Sequence, residues 1–186
     1  MSAPAKISGV EISHPDKILF PKSGITKLEL VEYYVAVADY MLPHLQNRPI
    51  TMQRFPNGIG KIGFYQKERS ENAPNYVKPV RVKLKNEGSK TYILVHNNST
   101  LAYLANQANI PIHTWLSRKG NINKPDMVIW DLDPNDDDFE KVREGAFLLR
   151  DFFKEYAGIE PFLKTTGQAV LTLPNRLISV SIICRR

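Results

Sequence analysis

The chain has 186 residues, 42% hydrophobic and 24% charged, an ordinary globular composition that excludes wholesale disorder. Its one cysteine, Cys184, excludes a disulfide framework, and no Cys/His cluster has zinc-site spacing. No signal-peptide core and no bilayer-length apolar run occur, so a cytoplasmic protein without a membrane partner is expected. A net charge of +6 and a pI near 9.4 lean toward polyanions such as nucleic acid, although charge alone is weak support.

Residues 1–11 read as a loose lead-in, and Ile12 to Phe20 alternates weakly before Pro21. Thr26 with Glu29 three residues on is a capping box. Leu30, Tyr33, Tyr34, Val37 and Met41 then recur at helical spacing, predicting one helix ending near Pro43. Ile50 to Arg54 reads as a short strand entering the turn Pro56-Asn57-Gly58. Val80, Val82 and Leu84 alternate with Arg81, Lys83 and Lys85. This predicts a strand with one basic face, turning at 86–89 into a partner strand from Thr91 to Val95. Ser99 or Thr100 opens a short helix through Leu101, Leu104 and Ala108. Val142, Ala146, Leu149 and Phe153 mark a second amphipathic helix stopped by Gly158, and Glu160 to Lys164 reads as a last strand. The expected fold class is α+β, in one domain without repeats.

The most informative stretch is Met127-Val128-Ile129-Trp130-Asp131-Leu132-Asp133-Pro134. An apolar run that reads as a buried strand ends in two carboxylates at i and i+2, which share one face of a strand. Such a pair suits Mg²⁺ or Mn²⁺ and two-metal phosphoryl transfer. Taken alone, it is more often a strand end or turn before a proline stop.

An ordered series of segments carries a resemblance. It comprises Ser13-His14-Pro15-Asp16-Lys17-Ile18-Leu19-Phe20-Pro21, Gly24-Ile25-Thr26-Lys27, Tyr33-Tyr34, Leu42-Pro43 and Arg48-Pro49. It continues through Arg54-Phe55-Pro56-Asn57-Gly58, Gly63-Phe64-Tyr65-Gln66-Lys67, Ala73-Pro74, Ile112-His113 and Pro125-Asp126 to Asp131-Leu132-Asp133-Pro134. From about His14 to Gly167 the chain resembles the polymerase domain of bacterial and archaeal ligase D, a branch of the archaeo-eukaryotic primase superfamily. The resemblance implies a primase-polymerase-like mixed sheet with flanking helices. It also implies a nucleotidyltransferase of non-homologous end joining that works on DNA ends with Mn²⁺ or Mg²⁺ and often prefers ribonucleotides. Ku and an ATP-dependent DNA ligase are the partners it suggests.

By the same resemblance, Lys17 and Lys27 match the lysines that take the 5′-phosphate of the downstream strand. The position of Lys27 at a helix N-terminus would add the helix dipole. Each lysine taken singly is an ordinary solvated charge. Phe64 matches an aromatic that stacks on template bases, where the alternative is a core residue. Arg54, His113 and Thr166 match positions near the nucleotide or primer terminus. Asp131 and Asp133 match the metal-binding catalytic pair. Gln53 stands where some relatives carry a basic residue, which puts one phosphate contact in doubt. Asp136-Asp137-Asp138 is explained by acidic residues opening a helix and is excluded from the site.

The pattern breaks after Lys164-Thr165-Thr166-Gly167. The family's motif runs on through Lys and Gly to a His, and a later strand supplies a third Asp. Here Gln168-Ala169-Val170-Leu171-Thr172-Leu173-Pro174 follows, and neither His nor Asp occurs after Gly167. Codons read out of frame from Gln168 permit Ser-Gly-Ser-His-Val, which restores a His as a changed reading frame would, although codon degeneracy makes this permissive and not compelling. The expectation is therefore a lead-in at 1–11 and the N-terminal part of a polymerase domain at 12–167. Residues 168–186 would form an atypical tail, poorly ordered and without an evolved partner strand, leaving the fold incomplete at the C-terminus. Catalysis should be badly impaired. The rival readings are a DNA-end-binding remnant without catalysis and a generic basic domain.

Overall fold

The computed structural model describes residues 5–84, 88–132, 138–166 and 179–185, with the backbone alone described at 165–166 and 179–185. The chain divides into two compact units, Met1–Asn123 and Lys124–Arg186. Both mix helix and strand, so the fold class is α+β, as expected.

The first unit opens with a small hairpin of β1 (Lys6–Ile7) and β2 (Val10–Glu11), where a loose lead-in was expected. Ser8 and Gly9 both adopt positive φ, 49° and 81°, the geometry of a tight hairpin turn whose twist matches its strands. A second hairpin joins β3 (Ile18–Phe20) to β4 (Ile25–Thr26) and leads directly into helix α1 (Lys27–Ala36). The capping box closes as predicted. Glu29 N–H donates to Thr26 Oγ1 at 3.3 Å, and Thr26 N–H donates to the Glu29 carboxylate at 2.7 Å.

The predicted single helix is two. α1 ends at Val37, and α2 (Ala38–Leu45) carries Pro43 inside it. Tyr33, assigned to the buried face, is exposed, while Leu30, Val31 and Tyr34 are buried. Tyr34 lies one residue further round the helix, and its hydroxyl donates to the carbonyls of Asn109 and Ile110.

A five-stranded antiparallel sheet carries the rest of this unit. Its strands are β5 (Pro49–Arg54), β6 (Phe64–Gln66), β7 (Lys78–Leu84) and β8 (Gly88–Leu94), in the order β6-β5-β8-β7. Helix α3 (Asn98–Asn106) then precedes the fifth strand, β9 (Asn109–Thr114), which pairs along β5. The β7–β8 hairpin is as predicted. Two strands, β6 and β9, carried no alternation to reveal them. Pro111 interrupts β9 and is tolerated because, among the described strands, β9 pairs only with β5. α3 is capped by Asn97, whose side chain accepts from Thr100 N–H at 2.9 Å, and not by Ser99 or Thr100. Ile50 and Met52 of β5, Leu101 and Leu104 of α3, and Val31 of α1 share the main core.

In the second unit, β10 (Met127–Leu132) is followed by the 19-residue helix α4 (Phe139–Ala157), then β11 (Phe162–Thr166) and β12 (Ser179–Arg185). The strands form an antiparallel sheet ordered β10-β12-β11. Val142, Ala146 and Phe153 bury one face of α4 together with Leu149, and Gly158 at φ 61° ends it, as the spacing predicts. Asp138 caps α4, accepting from Glu140 N–H at 3.0 Å, the helix-opening place expected of it.

Two expectations for this unit are corrected. β10 is not a buried strand, since Val128, Ile129 and Trp130 are all partly exposed. The tail does find partners: β12 pairs with β10 from Met127↔Arg185 to Leu132↔Val180, and with β11 from Phe162↔Ile183 to Thr166↔Ser179. A β-prone segment with few charges satisfies its backbone between two open strand edges. Residues 167–178, where the frame question begins, lie outside the described residues.

Candidate nucleic-acid interface

One end of the first unit gathers most of the residues singled out from the sequence. The β3–β4 ladder pairs Ile18 with Thr26, so Lys17 and Lys27 sit opposite each other one step beyond it. Lys27 N–H closes this step by donating to Lys17 O at 2.8 Å, and Leu28 N–H donates to Pro15 O at 3.0 Å. These carbonyls occupy the first two amides of α1. An anion at this helix end would therefore meet the Lys27 ammonium and not these two amides.

Lys27 is only 7% exposed. Its Nζ donates to Ser13 O at 2.6 Å and to Ser13 Oγ at 3.3 Å. Burial, and then the positive charges of Lys17 and Arg54, hold its pKa below 10.5. Among the described residues no carboxylate pairs with it. A desolvated cation beside two other cations is a site that an anion would stabilise.

Ser13 is itself held from across the unit. Its N–H and Oγ–H both donate to Asn106 Oδ1, at 3.1 and 3.2 Å, and Asn106 Nδ2 donates to Glu11 O at 3.1 Å. Asn106 is the last residue of α3, 93 positions away from Ser13 in sequence.

The next residue, Gln107, does the same for Arg54. Arg54 Nε donates to Gln107 O at 2.9 Å, Nη2 to Gln107 Oε1 at 2.8 Å, and Nη1 to Gln66 Oε1 at 2.7 Å. The guanidinium lies 5.4 Å from the centre of the Phe64 ring, within cation–π range. Arg54 is thus bonded on each nitrogen, to Gln107 and to Gln66 of β6. Phe64 is 46% exposed at the start of β6, as a stacking platform requires. A Cβ on the preceding Gly63 would fall 2.6 Å from the Phe55 ring and 2.9 Å from Arg54 O, so only glycine lets β6 approach β5 this closely.

His113 lies on β9 opposite Thr51 of β5. Its Nε2 is 3.0 Å from Gln53 Oε1, and its ring is 5.4 Å from that of Tyr65. Gln53, the residue before Arg54, here meets His113. Of the predicted residues, the first unit places Lys17 with Lys27, and Arg54 with Phe64. Asn106 and Gln107 were missed. A polar pair at a helix end has no local signal beyond that of the helix terminus itself.

In the second unit Asp131 is exposed near the end of β10, in register with Ser181 of β12, which in turn pairs with Lys164 of β11. Asp133 and the side chain of Thr166 lie outside the described residues. The Asp131 carboxylate is a hard oxygen donor of the kind Mg²⁺ or Mn²⁺ takes. Among the described residues, however, no group of three or more His, Cys, Asp or Glu could hold a metal ion. The donor chemistry of Asp131 fits, and its neighbour Asp133 lies outside the described residues. Among the described residues no helix is long and apolar enough to cross a membrane.

A model of the ligase D primase-polymerase domain matches residues 26–175. The Mycolicibacterium smegmatis multifunctional non-homologous end joining protein LigD is 33% identical over 129 residues, covering 68% of this chain and 17% of that protein. The bifunctional LigD of Bacillus subtilis is 33% identical over 163 residues, covering 85% of this chain and 25% of the relative. The solved polymerase domain of Mycobacterium tuberculosis ligase D in complex with DNA superposes with a TM-score of 0.81 at 27% identity, covering 95% of this chain and 61% of that one. The chain belongs to the ligase D primase-polymerase family, a family of non-homologous end-joining DNA repair. Polymerase domains of this family are nucleotidyltransferases that generally use divalent metals. The chain spans a quarter or less of these two curated relatives.

Proposed function

We propose that this chain binds 5′-phosphorylated DNA ends in end joining, with Lys17 and Lys27 taking the phosphate and Phe64 stacking on the template. The observation that carries this reading is the buried Lys27 ammonium, flanked by Lys17 and Arg54 and matched by no carboxylate among the described residues. A terminal phosphate dianion answers that imbalance, and lysines supply the point charges it needs. Stacking suits an enzyme that meets arbitrary end sequences, because every base has a π-face. The M. tuberculosis domain with DNA supports the assignment.

Asp131 and Asp133, with Mn²⁺ or Mg²⁺, and with Arg54, His113 and Thr166 near the nucleotide, make up the nucleotidyl-transfer side of the proposal. The ions would neutralise charge on a ribonucleoside triphosphate and activate the primer 3′-hydroxyl. With Gln168-Ala169-Val170 standing where the family's motif runs on from Gly167, transfer is expected at trace level at most. That departure also favours the second reading, an end-binding remnant without catalysis that hands ends to Ku and an ATP-dependent ligase. Recessed DNA with a 5′-phosphate should bind on the order of tenfold more tightly than its 5′-hydroxyl twin, and Lys17→Ala or Lys27→Ala should abolish the difference. Equal affinities in the unsubstituted chain would overturn the proposal. Robust Mn²⁺-dependent primer extension, lost in Asp131→Ala, would instead show that the missing motifs are dispensable.

A further inference from the structure

The C-terminal turn of α3 touches both halves of the proposed DNA site through separate relays. Asn106 Oδ1 accepts from both Ser13 N–H and Ser13 Oγ–H, Asn106 Nδ2 donates to Glu11 O, and Ser13 presents its carbonyl and hydroxyl to Lys27 Nζ. Gln107 accepts from two nitrogens of Arg54, whose third donates to Gln66 of β6 and whose guanidinium carbon lies 5.4 Å from the Phe64 ring centre. We propose that Asn106 and Gln107 are positioning residues, Asn106 aiming Lys27 at the 5′-phosphate and Gln107 holding Phe64 against the template. This rests on the reading of Lys27 and Phe64 given above.

The physical need differs on the two sides. A lysine stem has four rotatable bonds and a compact charge, so an unheld ammonium samples many positions. Two of its three donors fixed on Ser13 leave the third to point in a defined direction. The loop that carries Ser13 includes His14 at φ 50°, a conformation that a non-glycine residue holds only when its surroundings enforce it. Asn106, bonded on either side of Ile12, supplies that enforcement. Phe64 stands on a three-residue strand, and a strand this short takes its orientation from what braces it. The Arg54 bracket is that brace, and Gln107 sets its plane. Because the two gripping residues are consecutive at one helix end, Asn106 as its last residue and Gln107 as its C-cap, the phosphate and stacking elements hold a fixed spacing.

The relays are separable by measurement. Anisotropy titrations would compare three DNAs: a recessed 5′-phosphate end with template overhang, its 5′-hydroxyl twin, and a blunt 5′-phosphate duplex. Asn106→Ala is expected to bring the phosphate preference to within about twofold of unity while keeping the overhang preference, with Ser13→Ala lowering it severalfold. Gln107→Ala is expected to do the reverse, cutting the overhang preference by on the order of tenfold and sparing the phosphate preference. A purely structural role would lower both preferences together in both variants, and that outcome overturns the proposal. So does an unchanged phosphate preference in Asn106→Ala and Ser13→Ala when Lys27→Ala has lost it. If the unsubstituted chain shows no phosphate preference, the reading of Lys27 itself fails, a distinguishable result.

Discussion

Lys27→Met separates function from stability at one position. Methionine keeps an unbranched stem in the buried channel and deletes the ammonium, so packing is nearly conserved. Two hydrogen bonds to Ser13 disappear, each contributing a net ~1 kcal/mol. Against this, the substitution removes a desolvated cation, 7% exposed, and its repulsion with Lys17 and Arg54. Terms of this kind cost about 1–3 kcal/mol when no anion is present. The two contributions offset each other, so stability should stay within about 1 kcal/mol of the unsubstituted chain. Binding is different. The loss of a charge-assisted contact worth roughly 1.5 kcal/mol weakens 5′-phosphate DNA by about tenfold and leaves 5′-hydroxyl DNA nearly unaffected. Thermal melting with and without each DNA, together with anisotropy titration, reads both quantities. Unfolding several degrees lower with an intact phosphate preference would show that Lys27 is a structural lysine, and the anion-site argument would be refuted.

Three further outcomes are expected. Because burial holds the folded-state pKa of Lys27 below 10.5, the folded chain sheds this proton before the unfolded chain does. Its contribution to stability therefore rises with pH between the lowered pKa and 10.5. The 5′-phosphate preference should fade as pH climbs through that same lowered pKa; a preference constant up to pH 10.5 in affinity-against-pH titrations would contradict this. Asp131→Ala should leave the affinity for every DNA end within about twofold, since Asp131 is an exposed anion that contributes no attraction to phosphate, while erasing any trace of Mn²⁺-dependent extension. Gly63→Ala forces a Cβ to 2.6 Å from the Phe55 ring. It should cost about 1–3 kcal/mol of stability by urea denaturation and weaken overhang binding more than 5′-phosphate recognition, because the displaced strand begins at Phe64.

Signals that act within a few residues were legible in the sequence. Thr26 and Glu29 close a box three residues apart, Val142 to Phe153 repeats at helical spacing before Gly158, and Val80 to Leu84 alternates into a hairpin. Each works through short-range sterics and hydrogen bonds that need no partner from elsewhere. The resemblance also indicated Lys17, Lys27 and Phe64, and the structure sets them on one unit. What the chain alone could not reveal lies in long-range pairing. β9 carries Pro111 and no alternation, and it becomes a strand because β5 offers a backbone edge. The apolar residues of β10 read as buried, yet burial depends on what covers a face, and Val128, Ile129 and Trp130 stay partly exposed. The 179–185 segment became a central strand because two strand edges stood ready for it. Asn106 and Gln107 have no pattern of their own. Their partners, Ser13 and Arg54, lie 93 and 53 positions away, and only the closing of the tertiary fold brings amide to hydroxyl and carbonyl to guanidinium.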